Sequence, residues 1–159
     1  MQIRIVAVGK IRERYLADGI SDYEKRLRPY AKISVAEVDD IRRPANLSPT
    51  QRAQILAREG EKILSAVPDS AYAIALAVDG KPCSSEGLAA LLGKFEVGGV
   101  SQVAFVIGGD LGLAPSVLER CSLRLSLSAM TFTHPMARLI LIEQIYRAFR
   151  IIRGEPYHR

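Results

Sequence analysis

Short runs of β-branched and other apolar residues alternate with stretches of helical periodicity along the whole chain, and this rhythm restricts the fold more than any other feature. The first run, Ile3-Arg4-Ile5-Val6-Ala7-Val8, ends at Gly9 and reads as a strand closing on a turn. Leu16, Ile20, Tyr23 and Leu27 then recur at helical spacing over residues 13–27, and Pro29 lies just past the end. Ile33, Val35 and Val38 suggest a second strand, whereas residues 39–49 mix charges, prolines and Asn46 without apolar periodicity and read as a mobile loop. Ser48 or Thr50 is placed to cap a helix running to about Ala66, with Ile55, Leu56, Ile63 and Leu64 as its buried stripe. The alternation continues with strand 72–78, helix 85–96, strand 103–107, helix 115–121, strand 123–127 and helix 135–153.

Apolar strands separated by helices imply an α/β fold, with a mostly parallel sheet flanked by helices on both faces. Ligands in such folds bind beyond the carboxyl ends of the strands, so those ends are the places to look for a site. With 159 residues, 48% hydrophobic and 25% charged, the chain is expected to form one globular domain spanning 1–159. No internal repeat or low-complexity tract divides it.

The formal charge of +5 is compatible with a polyanionic partner but does not by itself select one. Cys83 and Cys121 are isolated and lack the close spacing of a zinc or redox motif, so no metal site and no disulfide framework is expected, and a reducing cytoplasm fits. Met1 leads straight into a strand without the pattern of a secretory signal, and no stretch approaches the roughly 18 apolar residues of a membrane span.

Three strand ends carry the residues that could form a site: Leu76 to Lys81, Val106 to Gly112, and Leu125 to Phe132. Glycine after a strand lets backbone N–H groups approach a ligand. Gly108-Gly109-Asp110-Leu111-Gly112 matches neither the full dinucleotide fingerprint nor a phosphate loop, and an ordinary turn remains an open reading. Asp110 argues against a phosphate ligand. It would either favour a cationic ligand or merely cap the following turn.

His134-Pro135 reads as a helix start, and Glu143 and Arg147 are spaced for an ion pair within that helix. Arg138, Arg147, Arg150 and Arg153 give the helix a basic character that could meet RNA phosphate. The terminal Tyr157-His158-Arg159 would by position alone be a frayed tail, yet these side chains can stack on a base, exchange a proton near neutral pH and hold phosphate or carbonyl oxygen.

Taken in order, these segments resemble the SPOUT-class methyltransferases that act on N3 of a pseudouridine in 23S ribosomal RNA. The resemblance rests on Val6-Ala7-Val8-Gly9-Lys10, Gly80-Lys81-Pro82, Ile107-Gly108-Gly109 with Gly112-Leu113, and Leu125 to Thr131. It continues through His134-Pro135 with Arg138, Glu143 with Tyr146-Arg147-Ala148, and Pro156-Tyr157-His158-Arg159. It implies a trefoil knot in the C-terminal half, against the general avoidance of knots, and a homodimer in which the tail of one subunit completes the site of the other. It also implies S-adenosyl-L-methionine as cofactor, held by Leu76, Gly108, Leu127, Ser128, Ala129, Met130, Thr131 and Phe132. Asp110-Leu111 departs from the proline or small residue and then polar residue common after the paired glycines.

The same resemblance places the chemistry on Glu143, Arg147, Tyr157, His158 and Arg159. Arg147 or Arg159 would stabilise charge developing on the base, and His158 or Glu143 would assist deprotonation. The expected partner is 23S ribosomal RNA in the ribosome, not DNA and not a membrane. A SPOUT enzyme acting on transfer RNA, or a nonenzymatic RNA-binding or ribosome-assembly protein, are the alternatives.

Overall fold

In the computed structural model, which describes residues 1–157, the apolar runs become β1 (Gln2–Val8), β2 (Lys32–Val38), β3 (Tyr72–Pro82), β4 (Gln102–Ile107) and β5 (Leu123–Ser126). These strands pair in parallel, in the order β2-β1-β4-β3-β5. Parallel strands need crossovers, which are supplied by α1 (Arg14–Leu27), α2 (Pro49–Ala66), α3 (Ser85–Val97) and α4 (Pro115–Arg120), with α5 (His134–Ile152) closing the chain.

The helices divide between the two faces. One core joins α1, α3 and α5 to the sheet through Leu27, Leu92, Phe105, Leu141, Ile145 and Phe149. The other joins α2 and α4 to it through Val6, Ile63, Ala73, Val106 and Val117. Because β1 and β4 lie inside the sheet and are covered on both faces, they read as continuous apolar runs from Ile5 to Val8 and from Val103 to Ile107 rather than as an alternation.

Ser48 caps α2 through a capping box: its hydroxyl accepts from the Gln51 N–H at 3.2 Å, and its own N–H donates to Gln51 Oε1 at 2.9 Å. The stripe expected on this helix is half right. Ile55 and Ile63 are buried, but Glu59 and Gly60 are buried with them, while Leu56 and Leu64 are only partly covered. The segment 39–48 is irregular as expected, but it is tied down, since Arg43 Nη2 donates to Asp110 Oδ2 at 2.6 Å.

Strand β3 extends past the expected end at Val78. Leu76 and Lys81 both oppose Leu125, so the residues between them are looped out of the ladder before pairing resumes at Pro82. Gly80 makes the loop fit: a Cβ there would lie 2.7 Å from the carbonyl carbon of Leu125.

Candidate functional site

All strands being parallel, their carboxyl ends share one edge, where neighbouring β3 and β4 lead to helices on opposite faces, α3 and α4. A crevice is expected at such a divergence. A cavity of about 680 Å³ is found there, walled by the looped-out part of β3, the glycine turn after β4, the segment between β5 and α5, and the first turn of α5. The size suits a nucleoside-sized ligand.

Seven of the expected cofactor contacts, Leu76, Gly108, Leu127, Ser128, Met130, Thr131 and Phe132, are brought together on this wall; Ala129 is not among them. Gly108 is required sterically, since a Cβ would lie 2.6 Å from the Gly112 carbonyl oxygen, across a turn closed by the Gly112 N–H on the Gly109 oxygen at 3.0 Å. The segment after β5 is braced by the Ser126 hydroxyl on the Ser128 carbonyl at 2.9 Å and the Met130 N–H on the Ser128 hydroxyl at 3.0 Å. Met130 is left 74% exposed at the rim, where an entering ligand would cover it.

Val78 and Asp79, from the strand end expected to form a site, also line the wall, as do Leu113, Leu118 and His134, which were not among the expected cofactor contacts. His134 was read only as a helix start. It lines the cavity at the positive end of α5, with its ring against Gly9 and its Nδ1 sealed from solvent without a hydrogen-bond partner. The Pro135 that follows marks the helix N-terminus, and its position after a strand end was the available signal.

Among the described residues no Lys or Arg lines the cavity; its charged residues are Asp79 and Asp110. Asp110 is partnered outward by Arg43, which leaves less of its charge for a ligand. Behind the same turn, Glu59 Oε2 lies 3.8 Å from where a Gly109 Cβ would stand, and Oε1 has no partner. Burial holds the Glu59 carboxyl above the usual range and the neighbouring Asp40 adds to the rise, opposed by the Ile41 N–H and the charge of Arg43.

Glu143, Arg147 and Tyr157 also come together, but elsewhere. Arg147 donates to Glu143 Oε1 from Nη2 at 2.7 Å and from Nε at 3.0 Å, so the ion pair expected from spacing forms. The Tyr157 hydroxyl donates to the same oxygen at 3.1 Å and lies 3.3 Å from the Tyr23 hydroxyl. Its ring packs edge-on against Tyr146 at 5.0 Å and carries the Arg147 guanidinium 4.7 Å from its centroid. Burial pushes the Tyr157 hydroxyl pKa upward, reinforced by Tyr23 and Glu143, so it stays a donor at neutral pH. Tyr157 is thus docked, not frayed.

None of these three lines the cavity of its own chain. Glu143 is about 14 Å along the α5 axis from His134, and Arg147 about 20 Å, at 1.5 Å per residue. His158 and Arg159 lie outside the described residues.

The expected basic face of α5 is neutralised within the chain. Arg138 pairs with Glu37 at 2.7 Å, Arg147 with Glu143, Arg150 with Glu155 at 2.8 Å, and Arg153 with Glu96 at 3.6 Å. Arg138, only 2% exposed, also donates to the Gly9 carbonyl at 2.9 Å and is a structural tie between α5 and the ends of β1 and β2.

Residues 1–158 match the family described as predicted SPOUT methyltransferases. The chain belongs to the SPOUT methyltransferase family. This SPOUT methyltransferase is 53% identical over 159 residues to the ribosomal RNA large subunit methyltransferase H of Carboxydothermus hydrogenoformans, and 52% identical over 159 residues to that of Listeria monocytogenes. Both chains are covered completely in each case. Solved structures agree on the fold. A probable methylase family protein from Haemophilus influenzae superposes with TM-score 0.57 at 15% identity, covering 99% of this chain and 70% of that one. A probable methyltransferase from Bordetella pertussis gives 0.55 at 15% identity, covering 92% and 95%.

Proposed function

We propose that this SPOUT methyltransferase transfers a methyl group from S-adenosyl-L-methionine to N3 of a pseudouridine in 23S ribosomal RNA, on assembled ribosomes in the cytoplasm. The observation that carries the cofactor assignment is the wall of the strand-end cavity, built largely from apolar side chains and backbone loops, with Asp79 and Asp110 but no Lys or Arg among the described residues. A phosphate-bearing cofactor would be poorly served there, whereas a nucleoside with an aliphatic, cationic centre needs dispersion contacts and hydrogen-bonded edges. Leu76, Gly108 and the residues Leu127, Ser128, Met130, Thr131 and Phe132 would hold the cofactor, which supplies a methyl on sulfur for in-line displacement. The names of the full-length relatives at 53% and 52% identity support large-subunit ribosomal RNA as the substrate class.

The separation of Glu143, Arg147 and Tyr157 from the cavity of their own chain supports a composite site, in which a second copy of the chain brings this cluster, with His158 and Arg159, to the cavity. In that arrangement Arg147 or Arg159 steadies negative charge on the carbonyl oxygens of the base, and Glu143 or His158 accepts the N3 proton. Aligning the reacting atoms accounts for the larger share of catalysis, on the order of 7 to 11 kcal/mol where orientation is complete.

The decisive experiment is methylation of ribosomes with isotopically labelled cofactor, followed by mass spectrometry of the RNA. Label at one pseudouridine of the large-subunit RNA is the expected result. Label only in transfer RNA, or none at all, would reject the assignment.

A further inference from the structure

Glu59 is a buried carboxyl that the reaction does not use. It is 2% exposed on the inner face of α2, and no ion pair within 4.0 Å is found for it among the described residues. A carboxyl in such a place costs free energy unless its contacts serve something else. What it faces is specific: the Ile41 N–H and the Asp40 carboxyl on one side, and the back of Gly109 on the other. Gly109 belongs to the cavity wall, and Glu59 does not.

The path of residues 39–43 shows what is held. The segment leaves β2 at the sheet edge and ends with Arg43 on Asp110, beyond the end of β4, although β1 lies between those strands. It therefore crosses about two inter-strand spacings, roughly 10 Å, as a strap over the end of β1. Glu59 sits beneath the middle of this strap, and Arg43 fastens its far end to the glycine turn.

We propose that Glu59 is a positioning residue for the methyl-donor cavity: its carboxyl fixes the Asp40–Ile41 part of the strap so that Arg43 meets Asp110 and holds the Gly108–Gly112 turn in the shape that receives the cofactor. The ligand class rests on the proposed function, but the mechanical link does not. Glu59→Gln keeps the size of the side chain, can accept from the Ile41 N–H and donate to the Asp40 carboxyl, and preserves the link. Glu59→Ala removes it.

Calorimetric titration with S-adenosyl-L-methionine of the wild type, Glu59→Ala, Glu59→Gln, Arg43→Ala and the Glu59→Ala/Arg43→Ala double variant tests this. Each alanine variant should weaken binding roughly tenfold, a usual size for coupling between linked positions, and Glu59→Gln should bind as the wild type does. The double variant should bind no more weakly than either single one, because both act through one strap. A purely structural Glu59 would lower stability without this non-additivity in Kd. Wild-type affinity in Glu59→Ala, or losses that multiply in the double variant, would overturn the proposal. Should Glu59→Ala not fold, unchanged affinity in Arg43→Ala overturns it equally. If the wild type binds no S-adenosyl-L-methionine, the cofactor assignment fails. The link then stands or falls on amide hydrogen exchange at Gly109 and Asp110, which both alanine variants should accelerate and which unchanged protection would refute.

Discussion

Tyr157 turns back across α5 to set its hydroxyl 3.1 Å from Oε1 of Glu143, so the last described residue is fastened by a hydrogen bond to a carboxylate. Tyr157→Phe keeps the ring contacts with Tyr146 and Arg147 and removes this bond together with the contact to the Tyr23 hydroxyl. A loss of about 1 kcal/mol is expected, seen as a fall in Tm of roughly 2–4 °C by calorimetry. Tyr157→Ala should cost clearly more, because the ring contacts go as well.

Glu143→Gln separates chemistry from binding. If the α5 cluster serves a cavity on another copy, cofactor affinity is unchanged while single-turnover methylation falls by roughly a hundredfold or more, the usual scale of proton-transfer catalysis. A parallel change in both quantities would place Glu143 in the cofactor pocket instead.

The Arg138 guanidinium is buried between Glu37 and the Gly9 carbonyl. Arg138→Ala strands its partners, and a loss of about 3 kcal/mol is expected, toward the lower end of the range because Glu37 is partly exposed. Urea denaturation measures it. Arg138→Lys cannot reproduce both contacts and should fall between the two.

At Gly108 the prediction concerns the ligand. A Cβ would be forced onto the Gly112 oxygen 2.6 Å away, so Gly108→Ala must open the turn. Affinity for S-adenosyl-L-methionine should drop by at least about tenfold, a shift of 1.4 kcal/mol in binding that calorimetry resolves readily. Gly93, where a Cβ would meet only Ile152 Cγ1 at an ordinary 3.8 Å, provides the control at which alanine leaves binding unchanged.

Glu59 predicts a pH dependence. Its carboxyl is held above its ordinary range in the folded chain, first by burial and then by Asp40, so the folded state binds its proton more tightly than the unfolded state does. The resulting stability is fully present below the unfolded carboxyl pKa and is lost as pH rises through the folded one. Replacing Glu59 with Gln should therefore flatten the fall in stability on the alkaline side of the carboxylate range, measured by denaturation at several pH values.

The strands were legible because β1 and β4 lie inside the sheet, where both faces demand apolar residues and the sequence is correspondingly apolar from Ile5 to Val8 and from Val103 to Ile107. The turn after β4 was legible because Gly108 answers a steric need within its own loop. Glu59 was not, since periodicity assigns a charged residue to the outer face of a helix, and its burial depends on a strap arriving from another strand. The looping-out before Lys81 depends on the backbone of Arg124 and Leu125, well over a helix away in sequence. Arg138 and Arg153 looked available for phosphate because their partners, Glu37 and Glu96, are distant in sequence; Glu37 is 101 residues from Arg138. Ala129 fell inside a run whose neighbours line the cavity, and contiguity alone does not decide which way each residue of an irregular segment turns.

The shared pairing of Leu76 and Lys81 with Leu125 separates two tasks in β3. The ladder is anchored on either side, and the residues between are released from it to form cavity wall. Substitutions at Ala77, Val78 and Asp79 can accordingly diverge among descendants of this chain and retune what the cavity accepts, while the register of the sheet is inherited intact.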